Sequence, residues 1–444
     1  MKIIIAGAGE VGTHLAKMLA NESQDIVLMD MAEERLRSIE ANFDLMTIKG
    51  NPTSLKDLRE VGVGNADLFI AVTPEESTNM TACMLATNMG SKKTLARIDN
   101  YEYLLPKNKE FFKRLGVDSL IYPEMLAAKE IVNSLKKNWA RQWLEFYDGA
   151  LILVATKIRE TSSILNKRLD ELFESDTKMR VVAIKRQFET IIPKGADEIK
   201  LYDIIYVMTT RDQIERLRQM AGKEDKPIEN IMIMGGSRIC QKTCQYLPDS
   251  IKVKIIEKDR ERGYSILENV SNAVVINGDG RNTELLREEG VQYMDAFVAV
   301  TGNSEANILA CLAARRAGVK KTIAEIENID YFPLAEKLDI GTVINKKKLA
   351  ASHIYQYTLD ANVTELKCLA NVEVDVVEFE AKANSKMTKG KVRDLHLPRE
   401  LNLGGYVRDK KGYIVTGDTE IKEGDHVIVF CYSSKTRQIE KYFN

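Results

Sequence analysis

Three glycines and one carboxylate near the start of the chain are the residues best placed to do chemistry. Gly7, Gly9 and Gly12 form a G-x-G-x-x-G loop with Ala8, Glu10 and Val11, and Asp30 follows about 20 residues beyond the turn. In this pattern the first glycine allows a sharp turn, the second leaves room for a pyrophosphate, and the third lets a helix pack close to its strand. The phosphates would rest on the N–H groups at the helix start. The carboxylate would accept from the ribose hydroxyls and repel a 2′-phosphate, which favours NAD over NADP. The surroundings suit this chemistry. Ile3 to Ala6 read as a buried strand, Val11, Leu15, Met18 and Leu19 recur at helical spacing, and Ile26 to Met29 read as a second strand ending at Asp30.

Further strands and helices must build the sheet that carries this loop. Runs at 45–48, 67–72 and 93–98 read as strands, and 54–61 and 77–89 as helices. Strands alternating with helices of this length predict a parallel sheet covered on both faces, with the ligand crevice beyond the carboxyl ends of the strands. Asn51, Thr73 and Arg97 fall at or just past such ends. Asn51 could meet an adenine edge or cap the helix beginning near Thr53. Thr73 could offer its backbone near the phosphates or simply end its strand. Arg97 could pair with a pyrophosphate as a charged fork or lie exposed at the sheet end.

The same unit is written twice. Ile231 to Cys240 fall on Ile3 to Gly12, the segment from Gly278 falls on that from Gly50, and DAFVAVT from Asp295 falls on DLFIAVT from Asp67. Asn307, Cys311 and Gly318 then repeat Asn79, Cys83 and Gly90 at one offset. The second copy places Gly235, Ser237, Arg238, Glu257, Asp279 and Thr301 where the first has its loop, acid and strand-end residues. Ser237 replaces Gly9, Cys240 replaces Gly12 and Glu325 replaces Arg97. A side chain in the phosphate space and a reversed charge predict a site that is degenerate or suited to another ligand. Arg238, standing where the first copy has Glu10, could restore some attraction.

After each copy come short apolar runs broken by turns, at 140–222 and 371–444. They read as small β-rich modules, with Gly195 and Asp203 matching Gly417 and Asp425. The segments leading into them, residues 123–143 and 346–367, read as helices with apolar stripes. The expected fold class is α/β: two doubly wound parallel-sheet domains, each followed by a small α+β domain. The expected bounds are 1–138, 139–222, 228–365 and 368–444.

Composition narrows the functions. With 64 basic and 65 acidic residues, the net charge of −1 gives no electrostatic footprint for nucleic acid or an anionic membrane. No uncharged apolar run reaches the roughly 20 residues that span a bilayer. The chain enters its first strand at once, so no signal peptide is expected. Six cysteines in this length make no disulfide framework. Cys240 and Cys244 lie one helical turn apart with no histidine nearby, which reads as two buried residues on one face. The four histidines, His14, His353, His396 and His426, are scattered. No metal site and no catalytic set is expected.

Tandem units that carry AGAGEVG, GNPT and AVT segments and end in Gly417, Asp418, Glu420, Gly424 and Asp425 resemble the TrkA family, regulatory subunits of Trk potassium uptake built from RCK (KTN) repeats. The similarity covers essentially the whole chain. It implies a cytoplasmic, NAD(H)-binding gating subunit on the inner face of the membrane. It also implies a homo-oligomeric ring, typically of four two-unit chains or else of two, beneath a potassium channel or transporter of the TrkH type. ATP or ADP binds and regulates some members. Carried over, the nucleotide site maps onto Gly7, Gly9, Gly12, Asp30, Asn51, Thr73 and Arg97, with Asn51 replacing the aspartate often found in the family. An NAD-dependent dehydrogenase is the rival. It would need a proton donor, and Tyr103 and Lys107, although at YxxxK spacing, are interrupted by Pro106.

Overall fold

The computed structural model describes all residues except 21–23, 42, 44, 174–177, 188, 271, 359–362, 369–373, 399–400, 433–438 and 444. The chain divides into two compact units. The first is Met1–Leu126 with Lys346–Asp360, and the second is Ala127–Asn345 with Ala361–Asn444.

The first unit is built on a sheet whose strands are β1 (Lys2–Ala6), β2 (Asp25–Asp30), β3 (Met46–Lys49), β4 (Leu68–Ala71), β5 (Thr94–Arg97) and β6 (Ser119–Ile121). Between them run α1 (Glu10–Ala20), α2 (Glu33–Glu40), α3 (Leu55–Glu60), α4 (Glu76–Asn88) and α5 (Pro106–Arg114), and α6 (Pro123–Lys136) follows. The strand order is β3-β2-β1-β4-β5-β6, all parallel. Ile3, Ile4 and Ile5 are fully buried, because helices cover both faces of the sheet and leave no polar alternation. The order reverses between β1 and β4, the topological switch point where such sheets open a crevice.

The second unit begins with a small antiparallel sheet of β7 (Gln142–Phe146), β8 (Leu151–Lys157), β9 (Met179–Arg186), β10 (Glu189–Ile191) and β11 (Ile204–Thr209), with α7 (Leu169–Phe173) and α8 (Ile214–Met220). It continues through β12 (Asn230–Met234), α9 (Arg238–Tyr246), β13 (Lys252–Glu257), α10 (Arg260–Asn269), β14 (Ala273–Asn277) and α11 (Thr283–Glu288). Next come β15 (Ala296–Ala299), α12 (Ser304–Arg316), β16 (Lys321–Glu325), α13 (Phe332–Lys337) and β17 (Thr342–Ile344). The order β14-β13-β12-β15-β16-β17 repeats that of the first sheet.

Helix α14 (Lys346–Tyr355), which follows β17 in sequence, belongs to the first unit and packs against α1. A second small sheet, β18 (Val363–Cys368), β19 (Val374–Glu380), β20 (Leu401–Arg408), β21 (Lys411–Ile414) and β22 (His426–Tyr432), completes the second unit.

The two small sheets share one core, in which Phe146, Leu153 and Met208 meet Val376, Ile428 and Phe430. Gly412 lies so close that a Cβ there would stand 2.1 Å from the Ala150 carbonyl oxygen. Two expectations are corrected. Gln142 and Trp143 lie in strand β7 and Val363–Cys368 form β18, so the segments read as continuous helices end at Lys136 and Tyr355. Over a short run, periodicity does not distinguish a strand from a buried helix face. Residues 433–444, which read from the sequence as a short terminal helix, lie largely outside the described residues.

Candidate functional site

At the first switch point the loop from Gly7 to Gly12 is held by contacts that explain its glycines. Gly7 has φ +114°, and a Cβ there would sit 2.9 Å from the Thr73 backbone nitrogen. At Gly12 a Cβ would lie 1.9 Å from the Gly7 carbonyl oxygen, so α1 approaches the loop as only glycine permits. Gly9 is different. A Cβ there meets nothing within 4 Å, so that glycine faces open space rather than packing.

Asp30 braces the loop. Its Oδ2 accepts from Ala8 N–H at 2.7 Å and its Oδ1 from Ala32 N–H at 2.7 Å. Each carboxylate oxygen keeps a second lone-pair site, enough for a ribose hydroxyl. Helix α1 starts at Glu10 with Val11 buried beneath it, and the N–H groups of a first turn have no carbonyl partner within the helix. Glu10 also pairs with Lys347 of α14.

Arg97 projects from the end of β5 with its Nη2 3.4 Å from Asp99 Oδ1, while its buried Nε has no hydrogen-bond partner. With only this one long contact on its fork among the described residues, the guanidinium keeps donors that suit an anion. Open space at Gly9, a helix start and an underpaired arginine together fit a ligand that carries phosphates.

Two residues are held by contacts of their own. Asn51 does not cap the helix; Ser54 does, accepting from Asp57 N–H. Asn51 Oδ1 instead accepts from both Thr53 N–H and Thr53 Oγ1–H, at 3.0 and 2.8 Å, so an adenine contact through that oxygen would compete with them. Thr73 does not present a free backbone N–H, because that group donates to Asn79 Oδ1 at 2.9 Å.

The second copy forms a crevice of about 390 Å³ lined by Gly235, Ser237, Glu257, Asp279 and Thr301 among others. Glu257 reproduces the brace, accepting from Gly236 N–H at 2.6 Å and Asp259 N–H at 2.8 Å. Ser237 spends its hydroxyl capping α9 by accepting from Cys240 N–H at 3.4 Å, and Arg238 opens that helix. Asp279 forks onto Arg281, which lowers its carboxyl to about 2. Glu325, at the place of Arg97, is buried.

The family models match in tandem. That for the TrkA-N domain covers residues 3–123 and 231–346, and that for the TrkA-C domain covers 153–222 and 376–444. The chain belongs to the TrkA family.

The Trk system potassium uptake protein TrkA of Haemophilus influenzae is 31% identical over 451 residues, spanning 100% of this chain and 98% of its own. A TrkA homolog of Methanosarcina mazei is 30% identical, with 100% of both chains covered. Among solved structures the GsuK RCK domain matches the fold with a TM-score of 0.61 at 14% identity, over 100% of this chain and 94% of that one. A GsuK channel bound to NAD matches with a TM-score of 0.60, also at 14% identity, over 100% and 78%.

Within this TrkA-family chain, the residues that hold the strand ends are ones that motif reading left without a role. Asn79 is 1% exposed and ties two strand ends together: its Oδ1 takes Thr73 N–H and Oγ1–H, and its Nδ2 donates to the carbonyls of Thr73 and Arg97, each at 3.0 Å. Asn307 repeats the arrangement with Thr301 and Glu325. In the small sheets Arg186 forks onto Asp203 and Arg408 onto Asp425, each pair making two bonds of 2.6 to 2.9 Å. The repeat itself was the available signal for all four. Tyr103, of the YxxxK pair, packs at a tilt against Phe112, with 4.5 Å between ring centroids, a packing role. Cys240, hydrogen-bonded to Cys244 and buried, is held well above the usual thiol range, as expected of inert core cysteines.

Proposed function

We propose that the chain is a nucleotide-responsive regulatory subunit of a potassium uptake system, not an enzyme. NAD(H) occupies the first crevice, and ATP or ADP competes for it. The observation that carries this reading is Gly9: alone among the three loop glycines, its missing side chain serves no contact of the protein, so the space belongs to a ligand. Ala8 to Gly12 would seat the pyrophosphate against the start of α1, Asp30 would orient a ribose, and Arg97 would supply the countercharge. When bound, the dinucleotide brings a redox state that the protein reads rather than uses.

Membership of the TrkA family and the potassium uptake role named for its relatives support the regulatory assignment. The proposed modules span 1–138, 139–222, 228–365 and 368–444. A homo-oligomeric ring of such chains acts at the inner face of the membrane on a partner of the TrkH type. Ligand state biases the arrangement of the modules by binding one arrangement better than another, at about 1.4 kcal/mol per tenfold preference. Among the described residues no helix is long and apolar enough to cross a membrane, so the conducting path belongs to the partner in this reading.

Calorimetric titration with NAD, NADH, ATP and ADP, run beside Gly9→Val, tests the proposal. Binding that the substitution abolishes is expected. Equal binding by parent and variant would move regulation elsewhere, and NAD-coupled oxidation of a metabolite would replace it with a dehydrogenase.

A further inference from the structure

A cavity of about 750 Å³ lies in the second unit, at the opposite end of the second parallel sheet from the Gly235 crevice. Its walls come from the first small module and from the amino-terminal ends of β16 and β17. Eight cations line it: Lys226 and Lys320, which pair with Glu224, and a group of six, Arg141, Lys157, Arg159, Lys223, Arg315 and Lys321. One carboxylate, Asp339, serves four of them, with Arg141 at 2.5 Å, Lys157 at 3.0 Å, Arg315 at 3.1 Å and Arg159 also paired.

Among the described residues the remaining two of the six have no carboxylate in contact. Lys321 is 8% exposed, and its ammonium donates only to neutral oxygens, the Ala140 carbonyl at 3.1 Å and Thr342 Oγ1 at 3.3 Å. The Lys223 ammonium has no ion pair among the described residues.

Other acids nearby do not restore the balance. Asp295 is tied to the Glu229 and Asn230 N–H groups. Glu224 pairs with Lys226 and Lys320. Glu130 reaches Lys321, and Glu336 reaches Arg141 and Lys157, only at longer range.

We infer that this cavity is a binding site for an oligophosphate group. The excess positive charge is too large for a lone phosphate to neutralise, and guanidinium forks match phosphate oxygens in pairs. The volume lies in the range of small-ligand sites. The free protein carries the signature of the unmet charge. Burial and the neighbouring arginines push Lys223 down to about 8, and burial pushes Lys321 down to about 7. A polyanion would reverse both shifts. The site is independent of the nucleotide reading of the first crevice.

The test is calorimetric titration of the full chain with sodium tripolyphosphate at fixed ionic strength, using the parent, Lys223→Met, Arg159→Gln and Gly9→Val. Stoichiometric binding is expected, unchanged in Gly9→Val and weakened tenfold or more in the other two. Lys223→Met breaks no ion pair, so its ligand-free melting temperature should equal or exceed the parent's. That makes it the deciding variant should Arg159→Gln fold poorly. No binding at millimolar tripolyphosphate, or parent-like binding by Lys223→Met, overturns the site, as does loss of binding in Gly9→Val. ATP titrated into Gly9→Val then identifies the source. Tighter binding than tripolyphosphate upholds the site as one for a nucleotide tail, and equal or weaker binding upholds it as one for free oligophosphate.

Discussion

Gly9 and Gly12 sit three residues apart in one motif, yet the structure assigns them opposite consequences when substituted. At Gly12 a Cβ would stand 1.9 Å from the Gly7 carbonyl oxygen, far inside contact distance. Gly12→Ala therefore forces α1 away from its strand and disturbs a well-packed sheet; overpacking of this kind costs about 1–3 kcal/mol. At Gly9 a Cβ meets nothing within 4 Å, so Gly9→Val should leave stability within about 0.5 kcal/mol of the parent, as at an unconstrained surface position. Its effect should appear only with ligand. A side chain in the phosphate space removes the close backbone approach, and loss of even two N–H contacts to a charged phosphate, at about 1.5–3 kcal/mol each, weakens binding by two orders of magnitude or more. Denaturant unfolding and calorimetry on both variants separate the cases. The expected pattern is that Gly12→Ala loses stability and Gly9→Val loses NAD(H). A Gly9→Val protein that is destabilised like Gly12→Ala, or that binds like the parent, would refute the assignment of that space to a ligand.

Other consequences are equally open to measurement. Asn79→Ala removes four bonds from a buried site, so it should cost about 2–4 kcal/mol and weaken nucleotide binding by releasing Thr73 and Arg97. Asn307→Ala should destabilise comparably yet leave the first crevice's affinity unchanged, a contrast read by paired unfolding and titration. Asp203→Ala and Asp425→Ala each strand an arginine beside a buried site and should cost about 3 kcal/mol by denaturant unfolding. His14 is lowered to about 4, by burial first and then by Lys348 and Lys17. Because the unfolded chain takes up this proton first, the contribution is intact above pH 6.5 and is lost as pH falls from 6.5 to about 4. The loss is at most about 3 kcal/mol, and His14→Gln should flatten that part of the stability profile.

The sequence by itself determined the alternation of strand and helix, the glycine loop with its acid, and the duplication. These are local patterns, and Ile3 to Ala6 or Gly7 to Gly12 carry their meaning within a few residues. It also marked where the copies diverge, at Ser237, Cys240 and Glu325. Only the tertiary structure decided what those residues do. Ser237 caps α9, and Asn51, which the sequence left between an adenine contact and a helix cap, braces the Thr53 turn instead of capping, because hydrogen bonds depend on side-chain direction and not on spacing.

The segments around Trp143 and Val363 were misread because an apolar run has no period until a neighbouring strand claims it. Packing of α14 against α1, the shared core of the small sheets and the convergence of Arg141, Lys157, Arg159 and Arg315 on Asp339 join residues far apart in the chain. No motif spans such distances. Their charges and apolar faces are visible in the sequence, but which of them meet is fixed only when folding brings them together and burial favours pairing.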